Sequence, residues 1–119
     1  MAQLNLKKSN NPLRCVLAGN TPNVVRILAA SASAQPPTAN DLSTTVAADG
    51  QSFTVPLDTI GIWAVVAVAN TIPAPPSPIL RTGNSETQSD GTTLPAGTFI
   101  DAFDDPATLA AVFTLEVTP

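Results

Sequence analysis

The 119-residue chain has no histidine and no tyrosine, a single cysteine, a single tryptophan, and only 12% charged residues. Each shortage removes a class of chemistry. Without His and Tyr, the commonest general acids and bases are missing. Cys15 has no second cysteine to close a disulfide, and with no histidine beside it a zinc site is not expected. No G-x-S-x-G elbow and no phosphate-cradling glycine loop occurs. Asp58-Thr59-Ile60-Gly61 distantly resembles the Asp-Thr-Gly of aspartic proteases, but Ile60 interrupts it and no second copy exists, so a turn is expected there. A membrane helix needs an apolar run of about 20 residues, roughly twice the longest one here. The expectation is a protein that is not an enzyme, with no cofactor, no metal and no membrane contact.

Charge is scarce and unevenly placed. A charged fraction of 12% is half the ~25% of ordinary soluble domains. So few charges disperse a free monomer poorly, which points to a surface covered by other chains in use. Lys7, Lys8, Arg14 and Arg26 all lie in the first 40 residues, which hold no acid. The rest carries all nine carboxylates against Arg81 alone. A basic segment of this kind can be held against an acidic surface. Four cations without an aromatic cluster do not make a nucleic-acid footprint.

What the chain does have is one long apolar run, residues 60–69, holding the only tryptophan. Read with a period of two, Ile62, Ala64, Val66 and Val68 share one face, and Trp63, Val65, Ala67 and Ala69 the other. Neither face is polar, so this strand is expected to be covered on both sides. Its valines, Ile62 and Trp63 favour strand over a short buried helix. Trp63 reads as a core residue in preference to a sugar-stacking ring.

Around that run the pattern is β throughout. Leu4 and Leu6 alternate with Asn5 and Lys7, which suits an extended arm or an edge strand protected by lysine. Strands are expected at 13–18 and 24–30, joined as a hairpin by the turn cluster 19–23. Cys15 alternates inward as a small hydrophobe. Residues 31–45 read as a polar surface loop. Asp49-Gly50 marks a turn between strands at 44–48 and 52–57, and Pro56 confines the second to a sheet edge or ends it. Residues 73–78 read as polyproline-like crossover, 79–82 as a short strand, and 83–93 as a mobile, outward-facing loop. Alternation returns at 98–103 and 109–117. Asp101, Asp104 and Asp105 are the only carboxylate cluster, read as solvated turn and cap ahead of a calcium site. The expected fold is all-β: a small β-sandwich, jelly roll or partly open barrel of seven to nine short strands. Residues 1–12 would be an extended N-terminal arm and 13–119 one domain.

Taken over its whole length, the chain resembles the decoration (cement) proteins of tailed-bacteriophage capsids, in its low charge, Ala/Thr/Pro richness and polar N-terminal segment. Gly61-Ile62-Trp63-Ala64-Val65-Val66-Ala67 and Gly97-Thr98-Phe99 are similar to pieces of the lambda-type members. The resemblance implies a homotrimer on the outer surface of a virion, made in the host cytoplasm, that stabilises the head by bridging neighbouring copies of the major capsid protein. Leu4, Leu6, Lys7, Lys8 and Arg14 would form the capsid-contact arm. Trp63 and Val65, on the core strand, would lie at the subunit interface. Asn84, Glu86 and Asp90 would stand on the outward loop. The alternative is a receptor- or carbohydrate-binding β-sandwich of a phage tail or fibre that uses the 83–93 loop.

Overall fold

The computed structural model describes residues 3–18, 24–31, 38–48, 50–70, 78–105 and 107–119. Among them the regular structure is all strand apart from two single 3-10 turns, Lys8–Asn10 and Ser43–Thr45. The strands are β1 (Gln3–Lys7), β2 (Leu13–Ala18), β3 (Val24–Ser31), β4 (Thr38–Asp41), β5 (Ser52–Val55) and β6 (Gly61–Ala69). They continue with β7 (Ile79–Thr82), β8 (Glu86–Thr87), β9 (Thr93–Leu94), β10 (Phe99–Ala102) and β11 (Ala110–Thr118). The all-β expectation is met, with eleven strands instead of seven to nine.

Two sheets form a sandwich. One has five strands in the order β1-β11-β6-β3-β4, the other four in the order β10-β7-β2-β5, and β8 and β9 make a separate two-stranded ribbon. The inward halves of the alternating strands meet in one buried cluster. The five-stranded sheet supplies Leu4, Leu6, Ile27, Val65, Ala67, Phe113 and Leu115, and the four-stranded sheet supplies Leu13, Cys15, Phe53, Val55, Leu80 and Ile100. Each large side chain so buried contributes about 1.5–3 kcal/mol. Phe53, Phe103 and Phe113 add bulk that the alanines of β3, β6 and β11 lack. Asp101 ties the sheets together beyond the core, its Oδ2 accepting the Val112 N–H at 2.8 Å.

Several local expectations hold. Strand β11 buries every second residue, Ala111, Phe113, Leu115 and Val117. Strand β5 is a sheet edge and ends before Pro56. Asp105 caps a short turn, accepting the Ala107 N–H at 2.9 Å.

Others fail for non-local reasons. The segments 13–18 and 24–30 are strands but not a hairpin: β2 pairs with β5 and β7, and β3 with β4 and β6 in the opposite sheet. Residues 38–41, expected as loop, form β4 because β3 offers them an open edge. Where a strand was expected at 44–48, Ser43–Thr45 is a 3-10 turn. Asp41 stops the strand by an Asx-type contact, its Oδ1 accepting both Ser43 N–H at 2.9 Å and Ser43 Oγ–H at 2.5 Å. The readings at 19–23 and 73–77 and at Asp49 lie outside the described residues.

The N-terminal segment is extended but not a free arm. Strand β1 lies parallel to β11, with Leu4 opposite Leu115 and Leu6 opposite Val117. Both leucines are buried.

Candidate functional site

Among the described residues, no group of three or more Cys, Asp or Glu side chains is placed to hold a metal ion. Asp101 is committed to Val112 and Asp105 to Ala107, while Asp104 is exposed. Cys15 is fully buried, and burial, helped by the nearby negative charge of Glu86, pushes its thiol pKa far up, so it is inert in the fold.

The residues expected on the contact arm separate. Leu4 and Leu6 are in the core. Lys7 turns outward on β1 and Lys8 is exposed on the following turn. Arg14 alternates with buried Leu13 and Cys15, so it stands on the outer side of the four-stranded sheet, across the sandwich from Lys7. Its stem covers Gly83: a β-carbon there would come within 2.8 Å of Arg14 Cγ.

The 83–93 segment is tied to the body of the sandwich at several points. Gln88 bridges to Leu6, Ser89 N–H donates to the Asn5 carbonyl at 2.9 Å, and Ser89 Oγ lies 2.9 Å from Thr118 Oγ1. Asn84 and Asp90 are exposed as expected, but Glu86 is not, being only 4% exposed. Desolvation raises its pKa above the ordinary carboxylate value. Asp90 is held below that range by Thr92, which donates to it from both Oγ1 and backbone N–H, at 2.6 and 2.9 Å.

The interface residues need a similar correction. Val65 is fully buried inside its own chain and has no surface to offer a second subunit. The outward residues of β6 are Ile62, Ala64, Val66 and Val68. In antiparallel pairs, opposed residues share a face, and the register extends this one. Leu28 and Val112 flank Val66, Ala30 and Thr114 flank Ala64, and Arg26 and Ala110 flank Val68. Ile62 is 48% exposed, Ala64 is exposed, and Leu28, Ala30, Val66, Val68, Ala110 and Val112 are part-exposed. Charges stand at its margins: Arg26 beside Val68, Glu116 beside Ile62, and the exposed Asp41 of β4 beside Leu28. The four-stranded sheet packs the other side, and no described element is layered on this one. Among the described residues, the expected cover over β6 is present on one face.

A second feature opens at the end of the sandwich where Trp63 lies. A cleft of about 290 Å³ is lined by Ala29, Asn40, Leu42, Val55, Pro56, Asp58, Thr59 and Trp63. Trp63 is part-exposed, packs against the core, and its Nε1–H donates to the Thr59 carbonyl at 3.3 Å.

No protein-family model matches the chain, and no characterised protein or solved structure matches it either. Functional reading therefore rests on these surfaces.

Sequence reasoning missed the outward row Leu28–Val66–Val112 and the cleft residues Asn40 and Asp58. The row had a signal. Thr114 and Glu116 mark the polar half of β11, and pairing β6 with β11 would have set Ala64 and Ile62 on that same outer half. The cleft had none, because its walls come from four separate segments.

Proposed function

We propose that this chain is a non-enzymatic structural subunit of a virion, a decoration protein on the outer surface of a bacteriophage capsid, bound to the major capsid protein and to copies of itself. The observation that supports this best is the bare apolar face of the five-stranded sheet. An antiparallel sheet with one solvated side ordinarily alternates apolar inward and polar outward. Here Leu28, Val66 and Val112 stand side by side on the outside across three strands. A surface of that kind marks an interaction site, and a chain with 12% charged residues offers little to offset it.

The occupant of this face is a second copy of the chain. Arg26 stands at one end of the patch, with Asp41 on the neighbouring edge strand, and Glu116 at the other end, so a neighbouring copy can bring unlike charges together at the rim of an apolar contact. The homotrimer is the expected unit. The mechanism is thermodynamic: a ligand that binds only the assembled shell stabilises that state by mass action. Lys7, part-exposed, and Lys8, exposed, are cations that can steer the approach to an acidic capsid surface.

Sedimentation equilibrium and co-sedimentation with capsids from the same source test the reading. The expected result is a species of three times 12.2 kDa that pellets with capsids. Val66→Glu is expected to give a folded monomer that does not. A wild-type protein that stays monomeric at high concentration and ignores capsids would overturn it.

A further inference from the structure

We propose that the cleft beside Trp63 is a binding site for a neutral saccharide, distinct from the apolar face of the five-stranded sheet. The two surfaces share no residue. Ile62 points outward on β6, whereas Trp63 points to the inner side and reaches the open end of the sandwich.

The lining has the composition such a ligand requires. A pyranose ring has an apolar C–H face and a rim of hydroxyl groups. Trp63 supplies a flat apolar surface, extended by Ala29, Leu42, Val55 and Pro56. Its Nε1–H bond to the Thr59 carbonyl anchors the indole at one edge. On the rim stand Asp58 and Asn40, both exposed. Among the described residues the Asn40 amide makes no hydrogen bond, and the Asp58 carboxylate has only a long contact of 3.4 Å from Thr59 Oγ1. A carboxylate accepts from two hydroxyls, and an amide both donates and accepts, so the pair can satisfy vicinal hydroxyls that no single group serves.

Other ligand classes fit less well. No Lys or Arg lines the cleft, and Asp58 repels anions, which disfavours phosphates and carboxylates. A wholly apolar ligand would strip water from Asp58 and Asn40 without replacing its hydrogen bonds. An organic cation could sit over the indole near Asp58, but Trp63 is the one aromatic ring in the lining, where an aromatic cage uses several. The volume of about 290 Å³ lies at the small end of ligand pockets, which suits one or two sugar units.

The chain carries its own reporter, since Trp63 is its only tryptophan. The full-length protein is titrated with glucose, galactose, mannose, N-acetylglucosamine and their disaccharides, and separately with tetramethylammonium and inorganic phosphate. Trp63 emission and saturation-transfer NMR of the sugar are followed together. The expected result is saturable binding of at least one neutral sugar in the millimolar range. Asp58→Asn and Asn40→Ala, both at exposed positions, should each weaken it at least tenfold, and Asp104→Asn should leave it unchanged. Saturable response to tetramethylammonium or phosphate alone, no response to any sugar, or full sugar affinity in Asp58→Asn would each overturn the proposal. Val66→Glu separates the two readings: loss of self-association with sugar binding retained leaves the cleft standing by itself.

Discussion

The side-chain amide of Asn10 bonds both backbone groups of Thr87, accepting the N–H at 2.8 Å and donating to the carbonyl at 2.7 Å. One side chain thus does the work of a paired strand for a residue 77 positions away. It closes the ribbon of β8 and β9 onto the end of β1, whose Leu6 and Asn5 then meet Gln88 and Ser89. The 83–93 segment is ordered by this clamp, not by a pattern of its own.

Asn10→Ala removes both bonds, together with the one the same amide donates to the Lys7 carbonyl at 2.9 Å, and leaves the Thr87 groups to water. Hydrogen bonds at about 1 kcal/mol each set the expected loss of stability at roughly 3 kcal/mol or below, since the site is part-exposed. Hydrogen exchange should localise it. The amides of Thr87, Gln88 and Ser89 are expected to exchange faster, while those of β6 and β11 keep their protection relative to global unfolding.

Glu86 makes stability depend on pH with a definite sign. The residue is only 4% exposed, and desolvation raises its folded pKa above the ordinary value of 4.5. The folded state therefore binds more protons than the unfolded state between those two values. Its favourable contribution is complete below pH 4.5 and is lost as pH rises through the folded pKa. Glu86→Gln has no charge to desolvate. Its melting temperature should exceed that of wild type at pH 7, and the gap should close as pH falls to 4. A gap that stays constant with pH would contradict the burial of a charged Glu86.

Gly83 and Arg14 should be coupled. A β-carbon on Gly83 would meet Arg14 Cγ at 2.8 Å and Cδ at 2.9 Å, while Gly83 N–H donates to the Arg14 carbonyl at 2.8 Å. Gly83→Ala alone is expected to cost about 1 kcal/mol, by displacing that stem. Arg14→Ala alone should cost less than about 0.5 kcal/mol, as an exposed surface change. The double variant should recover most of the loss, giving a coupling energy of about 0.5 kcal/mol or more in a denaturation cycle. Simple additivity would show that the stem does not rest on Gly83.

Much of the secondary structure was legible because strand alternation is local. Residues 109–117 announce which side chains go inward, and Leu13, Cys15 and Phe53 do the same. Pro56 announces the end of an edge strand, since it lacks the N–H a ladder needs. The site was far less legible. Residues 62–69 are apolar on both faces, so nothing within them says which face turns inward. Glu86 sits in a polar stretch, yet β8 lies against β1 and Glu86 comes near Cys15 of β2, both far away in sequence.

By itself, then, the sequence determined the all-β class, the positions of most strands, the burial of Cys15 and the poverty of charge that makes an exposed apolar face significant. Tertiary pairing decided the rest. It sent β2 and β3 to opposite sheets, drew β1 into a parallel pair with β11, turned Val65 in and Val66 out, and opened the cleft beside Trp63. The physical reason is that side-chain period is a property of a few adjacent residues. Strand partnership and register are settled by contacts between residues far apart in the chain, and a one-residue change of register reverses every face.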